Sequence, residues 1–314
     1  MKFPERGSLV DLLVGSVATL ALFLAYVMFP LVGMIPGIIA PFPAIYYSLK
    51  RGTVVGFAIV LIATMVLVML GDFAAILLYL LQCGVISVAL PVFLSSGRGG
   101  ARSIAYAVAI DLAVILLMVG VYGATQGGDT LAQVQKLIQS NMSQTSAFYE
   151  RAGIKGEDLK ALQQGVAEAG ALISRIYPAL VVISLVLVAG INLLLLKKAS
   201  AKLPVPLPIG EFTRFKNPEQ LVWVLIVAGF ALLVPNRLLT TAALNVLVVA
   251  VALYFVQGMA IISQFYTRFT VPRFVRFLFY LVLALQPYLA IMVAMLGIFD
   301  LWGDFRTPKQ NKNL

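Results

Sequence analysis

The residue with the clearest chemical potential in this chain is a carboxylate in the middle of an apolar run. Asp111 stands in Ala107-Val108-Ala109-Ile110-Asp111-Leu112. Ionisable groups inside a bilayer are costly and mark proton, cation or ligand sites by default. The competing reading is structural, a carboxylate hydrogen-bonded across a helix interface. Tyr79, Gln82 and Tyr106 stand in neighbouring apolar runs. Together with Asp111 they are the candidate ligand contacts. The amides Gln82, Asn192, Asn245, Gln257 and Gln286 each read more simply as interhelical glue, worth about 1 kcal/mol. Asp11 and Asp72 lie near the ends of apolar runs, where water is close, and carry little information.

Absences narrow the chemistry further. The chain has no histidine and a single cysteine, Cys83. Ser-His-Asp and Cys-His catalysis are therefore ruled out, as is an H-E-x-x-H metal site. Four-ligand Cys/His zinc sites and an internal disulfide are ruled out too. No G-x-x-x-x-G-K-[ST] loop is present, so the chain has no P-loop of its own. The expectation is a protein that is not an enzyme, with no catalytic residue, metal or cofactor. A lipid-processing site built from carboxylates and arginine stays open.

The elements that must position these residues are membrane spans. Of 314 residues, 61% are hydrophobic and only 11% charged, and the mean hydropathy is +0.99. The apolar residues fall in blocks of about 17 to 25, long enough to cross a bilayer core of roughly 30 Å. The sequence predicts an all-α polytopic membrane protein of about nine transmembrane helices, with eight as the alternative. Residues 1–122 hold spans one to five. The first, Leu9–Phe29, reads as a retained helix rather than a cleaved signal peptide. The second, about Leu31–Leu49, carries Pro36, Pro41 and Pro43 and is predicted to be kinked or broken. Residues 123–172 are polar, with apolar residues at helical spacing (Leu131, Val134, Leu137, Ile138, then Leu159, Leu162, Val166, Leu172), and form an extracytoplasmic amphipathic insert. Its second helix runs into span six, residues 173–196. Residues 197–220 are a basic, proline-rich loop, in which Phe212 and Phe215, with Trp223 just beyond, suit the headgroup layer. Residues 221–298 hold spans seven to nine, the seventh at about Leu221–Leu233 and the ninth interrupted by Pro287. Residues 299–314 are a polar tail.

The formal net charge is +10. Lys50, Arg51, Arg98, Arg102, Lys197, Lys198 and Lys202 fall between spans on one side if the N-terminus is cytoplasmic. The positive-inside rule therefore explains the charge better than nucleic-acid binding does. The side of the C-terminus stays open. Ala18, Ala21 and Ala25 form a small-residue face on the first helix, which allows another helix of this chain or of a partner to approach closely. The terminal motif Asp300-Leu301-Trp302-Gly303-Asp304-Phe305-Arg306 closes the last span. It reads as a helix end with Trp302 as interfacial anchor and a local Asp–Arg pair, with Asp300 and Asp304 on one face.

Several of these features, taken in order, resemble the uncharacterised YybS-like family of bacterial membrane proteins, domain of unknown function 2232. They are the kinked Pro36–Pro43 span, the helical insert, Ile176-Tyr177-Pro178-Ala179-Leu180, Ile191-Asn192-Leu193-Leu194-Leu195, the Phe212…Phe215…Pro218…Trp223 stretch and the terminal Gly297-Ile298-Phe299-Asp300-Leu301-Trp302…Asp304-Phe305-Arg306. The first six spans are more distantly similar to the S-components of energy-coupling-factor transporters and to MreD-like envelope proteins. The S-component resemblance implies an N-terminal six-helix bundle and docking of Ala21 and Ala25 on a coupling subunit. The extra C-terminal spans and the long insert depart from that pattern. The expected function is a small-molecule binding or transport subunit of the bacterial inner membrane, energised by partner proteins. The alternative is an envelope scaffold or assembly protein. The expected partners are the lipid bilayer, a membrane coupling or scaffold protein and a small-molecule ligand, with no nucleic acid.

Overall fold

The computed structural model describes residues 6–126, 136, 139–140, 142–145, 147–148, 156–204, 206–303 and 305–306. Leu131, Val134, Leu137 and Ile138 of the insert, Asp304 of the terminal motif and the last eight residues lie outside them. The chain is an all-α polytopic membrane protein, and no strand occurs among the described residues. Its elements are α1 (Arg6–Met28), α2 (Pro30–Ile39), α3 (Phe42–Arg51), α4 (Thr53–Leu70) and α5 (Phe73–Tyr79). A π turn (Leu80–Gly84) joins α5 to α6 (Val85–Ser95), followed by α7 (Gly100–Gln126) and α8 (Glu157–Ala199). The remainder are α9 (Leu221–Ala231), α10 (Arg237–Arg268), α11 (Arg273–Leu285) and α12 (Pro287–Gly303).

Among the described residues seven helices are long and apolar enough to cross a membrane, or up to eight if the bent pair α11–α12 forms one span. The difference from nine comes from the expected seventh span. There the helix α9 has 11 residues, which reach about 16 Å, half of the bilayer core. The expected ninth span bends by 110° at the break before Pro287. The second span is broken as its prolines predict, into α2 and α3. The second insert helix and span six form one helix, α8, of 43 residues. At about 65 Å it is roughly twice the thickness of the hydrocarbon core, and the charged residues Glu157, Asp158, Lys160 and Glu168 lie in its N-terminal half.

The chain divides into two compact units. The first comprises α1–α7 and the C-terminal part of α8 (residues 1–127 and 184–210). Its core joins Phe23 of α1, Ala44 of α3, Ile59, Ala63 and Leu67 of α4, and Tyr79 and Cys83 of the fourth span. Four of its helix ends gather on one side. Arg51, at the end of α3, reaches Gly7 at the start of α1. Val14 and Ala18 of α1 share a groove with Ala199 and Lys202 at the end of α8. Gly100, at the start of α7, packs against the Ile209 carbonyl, and Lys197 Nζ donates to the Gly210 carbonyl at 2.6 Å. The basic residues 50, 51, 98, 102, 197, 198 and 202 thus share one end of the unit.

The second unit comprises the N-terminal part of α8 and α9–α12 (residues 128–183 and 211–314). Helices α10 and α12 cross at Gly258 and Gly297. A Cβ on Gly258 would overlap the Val293 carbonyl, and one on Gly297 would overlap the Tyr254 carbonyl. Close approach of two backbones requires glycine there.

Prolines interrupt several spans, and at two of these places an asparagine bonds the neighbouring backbone. Pro178 lies within α8. Asn245 of α10 donates from Nδ2 to the Arg175 carbonyl and accepts at Oδ1 from the Ala179 amide, each at 2.8 Å. Those two backbone groups are an i, i+4 pair that a regular helix would join. In the first unit, Asn192 donates from Nδ2 to the Ile38 carbonyl at the α2–α3 break and to its own Val188 carbonyl, each at 2.7 Å. Substituting Asn245→Ala removes both of its bonds to the backbone beside Pro178 and should cost about 1–3 kcal/mol. In a Pro178→Ala background the same substitution should cost less than half as much, because the helix can close its own ladder. Thermal unfolding of the four proteins in detergent measures this coupling; equal costs in both backgrounds would show that Asn245 does not serve the proline break.

Candidate functional site

Helix α7 turns one stripe inward. Ser103, Ala107 and Asp111 recur every four residues and are all fully buried, as residues on one helix face must be. The opposite face carries Leu116 and Leu117, both more than two-thirds exposed, and has the chemistry of a lipid-facing surface. Asp111 is the twelfth residue of a 22-residue span, so it sits near mid-depth. Its relative exposure is 0%. Neither carboxylate oxygen has a hydrogen-bond partner among the described residues.

Helix α7 packs on α6 and touches the π turn. This turn places Tyr79, Cys83 and Ser87 in the interior, each at most 1% exposed. The Cys83 thiol lies within Coulombic reach of both Asp111 and Tyr79. The Tyr79 ring packs edge-on against Phe23, with centroids 5.1 Å apart. The Tyr79 hydroxyl, Ser87 Oγ and Thr19 Oγ1 are, like Asp111, buried without a hydrogen-bond partner. Buried polar atoms normally find partners, and π turns inside α-helices are frequent at functional sites. The first unit therefore holds several unsatisfied polar groups, of which Asp111 alone is ionisable to a full charge in the carboxylate range.

Of the four expected ligand contacts, the structure brings Tyr79 into the surroundings of Asp111 through Cys83. Gln82 lies in the π turn and is half-buried. Tyr106 is elsewhere: it is 42% exposed, packs on Phe93 at 5.2 Å and carries the Arg98 guanidinium 5.0 Å from its ring. Five residues along a helix turn a side chain by about 140° from Asp111, which accounts for the separation. A groove of about 610 Å³ between α4 and Leu80 is lined only by apolar side chains and Thr64, and Met65, Val68 and Met69 face outward there.

The small-residue face of α1 is divided. Ala21 is exposed and Ala18 half-buried. Ala25 is approached by the chain itself: a Cβ on Gly33 of α2 would overlap the Ala25 carbonyl. The close approach that Ala25 permits is thus used within the unit.

In the second unit the terminal motif is part of a buried network. Asp300 is 3% exposed; its Oδ2 lies 3.1 Å from Arg306 Nη2 and accepts from Gln257 Nε2 at 3.1 Å. Gln257 Oε1 accepts from the Asn217 amide at 2.9 Å, and Asn217 Nδ2 donates to the Leu253 carbonyl at 2.9 Å. Arg306 Nη1 donates to the Thr213 carbonyl at 3.1 Å. Trp302 is 69% exposed, as an interfacial anchor should be. The expected Asp–Arg pair is present, but it is interior and ties the 213–217 segment to α10 and α12. Asn217 has no signal in the sequence, because its role depends on contacts about forty residues away.

Asp11 also does more than its position near a helix end suggested. Its carboxylate accepts from Arg51 Nε at 2.7 Å and Lys50 Nζ at 3.2 Å, joining α1 to α3. Among the described residues no group of three or more metal-ligating side chains gathers.

A family described as "predicted membrane protein (DUF2232)" matches residues 17–301. No curated protein matches, and no solved structure matches.

The Asp300–Arg306 pair lends itself to a direct test. Asp300→Ala or Arg306→Ala leaves a buried charge unpaired and should destabilise the protein by about 3–5 kcal/mol. Replacing both should cost less than either single change. Detergent unfolding curves for the three variants measure this, and additive losses would show that the two side chains act separately.

Proposed function

We propose that this chain, a member of the DUF2232 family of predicted membrane proteins, is a transport or small-molecule-binding subunit of the bacterial inner membrane working through Asp111. The observation that carries this reading is the mid-span carboxylate, fully buried, with both oxygens unpartnered. A charged side chain at the bilayer centre costs about 2.5–3.5 kcal/mol even on the most lenient scale. A purely structural carboxylate would recover part of that cost through hydrogen bonds, and Asp111 makes none among the described residues. What completes the site is a positively charged group: a proton, a cation or the amine of a ligand. Binding or carriage, rather than covalent chemistry, is the role assigned to the chain. Energy comes from partner proteins or from the bound ion, since the sequence has no P-loop. The single basic end of the first unit supports a cytoplasmic N-terminus.

One observation favours the scaffold reading instead. The polar N-terminal half of α8, which precedes span six, exposes Leu162, a surface suited to a partner protein. The two readings separate on Asp111, which a scaffold does not need.

The test uses the full chain in nanodiscs, with thermal stabilisation read against a panel of monovalent cations and amine-bearing metabolites. The expected result is saturable stabilisation by at least one compound, weakened tenfold or more in Asp111→Asn. In the absence of that compound the variant should be as stable as the parent or more so, because an uncompensated charge has been removed. No saturable response, or an identical response in the variant, would overturn the binding reading and leave the scaffold.

A further inference from the structure

The basic end of the first unit contains a groove of about 360 Å³. Its apolar wall is Val14 and Ala18 of α1 with Phe42 of α3, and its polar wall is Tyr46, Tyr47 and Lys202. Lys50 stands at the same end, with Nζ 5.4 Å from the Tyr47 ring and 6.0 Å from the Tyr46 ring. Its charge is partly spent on Asp11, which also holds Arg51. Lys202 is exposed and has no ion pair among the described residues. Around the groove, Lys50, Arg51 and Lys202 therefore stand against a single carboxylate, Asp11. The site has a surplus of positive charge at its mouth and apolar walls leading away along a membrane helix.

That combination defines the occupant. Val14 and Ala18 are one helical turn apart on α1, so the apolar wall runs parallel to the span. Leu13 and Val17 beside them are 62% and 65% exposed and continue the wall toward the bilayer. An anion alone would use only the mouth, and an alkyl chain alone only the wall. An amphipathic anion uses both. Basic pockets between helices at the cytoplasmic side bind anionic lipid headgroups, and tyrosine is at home in the headgroup layer. We propose that this groove binds an anionic phospholipid, its phosphate diester held by Lys202 and Lys50 beside Tyr46 and Tyr47, and an acyl chain lying on Val14 and Ala18. The proposal does not depend on Asp111 or on the transport reading.

The experiment is native mass spectrometry of the full chain released from nanodiscs containing equal amounts of phosphatidylglycerol and phosphatidylcholine. The wild-type protein should retain phosphatidylglycerol preferentially. Lys202→Gln should lower that preference about fivefold, the factor expected for one lysine near an anionic surface, and Lys202→Arg should keep it. Ala18→Trp, which fills the apolar wall and leaves the charges, should lower retention of both lipids. Equal retention of the two lipids by the wild-type protein would overturn the proposal, as would an unchanged preference in Lys202→Gln. Displacement of the retained lipid by millimolar inorganic phosphate would show an anion site rather than a lipid site, and would also overturn it.

Discussion

The fold depends on one constraint: inside a bilayer no water is available, so every backbone N–H and C=O must find its partner in the protein. Straight helices meet it without help. This chain places prolines within or between its helices at Pro41, Pro43, Pro91, Pro178 and Pro287, and each lacks the N–H that a regular helix would use. The side chains that answer are amides, which carry donors and an acceptor on one short stem. Asn245 uses both kinds at once, donating to Arg175 and accepting from Ala179. Asn192 spends its N–H groups on Ile38 and Val188. Gln257 accepts from the backbone of Asn217 and donates to Asp300. The irregular helices are therefore tied to particular neighbours, and the same amides that repair the backbone also fix which helices pack together.

Against that background the three described acidic residues of the spans differ in kind. Asp11 lies at a helix end and is held by two cations. Asp300 is buried but bonded by Arg306 and Gln257. Asp111 is equally buried and bonded by nothing described. The cost of an unpaired group rises with depth and dryness, so the carboxylate with the least support stands where support matters most. Helix α7, which carries it, touches the π turn of the fourth span, where the helical ladder changes register. Polarity used for packing and polarity held in reserve are thus separated in this structure by whether partners are present, not by residue type.

Much of this was legible in the sequence because it depends on local properties. Span length and hydropathy gave the helical membrane class, the prolines located the α2–α3 break, and a charge within an apolar run marked Asp111. Asp72 stood near the end of an apolar run, and it caps the following helix by accepting from the Ala75 amide at 3.0 Å. What was hidden depends on tertiary contacts. Leu221–Leu233 is apolar enough to be a span, yet the helix stops at Ala231, ahead of Pro235. Tyr106 and Asp111 share a helix but not a face. Asp11 looked uninformative because its partners, Lys50 and Arg51, lie about forty positions away. The Gly258–Gly297 crossing spans a similar distance, and nothing local in the sequence pairs the two glycines.

The first helix shows how one face can serve two purposes without conflict. At its inner end, Ala25 is closed off by Gly33, so the small residue there supports packing within the chain. At its basic end, Val14 and Ala18 remain open beside Tyr46, Tyr47 and Lys202. Small side chains admit whatever is in contact with them, and in a bilayer that is either a helix or a lipid chain. Position along the helix decides between them: a neighbouring glycine brings in backbone at one end, while uncompensated lysine charge and tyrosine at the other select a molecule with both an anionic head and an apolar tail.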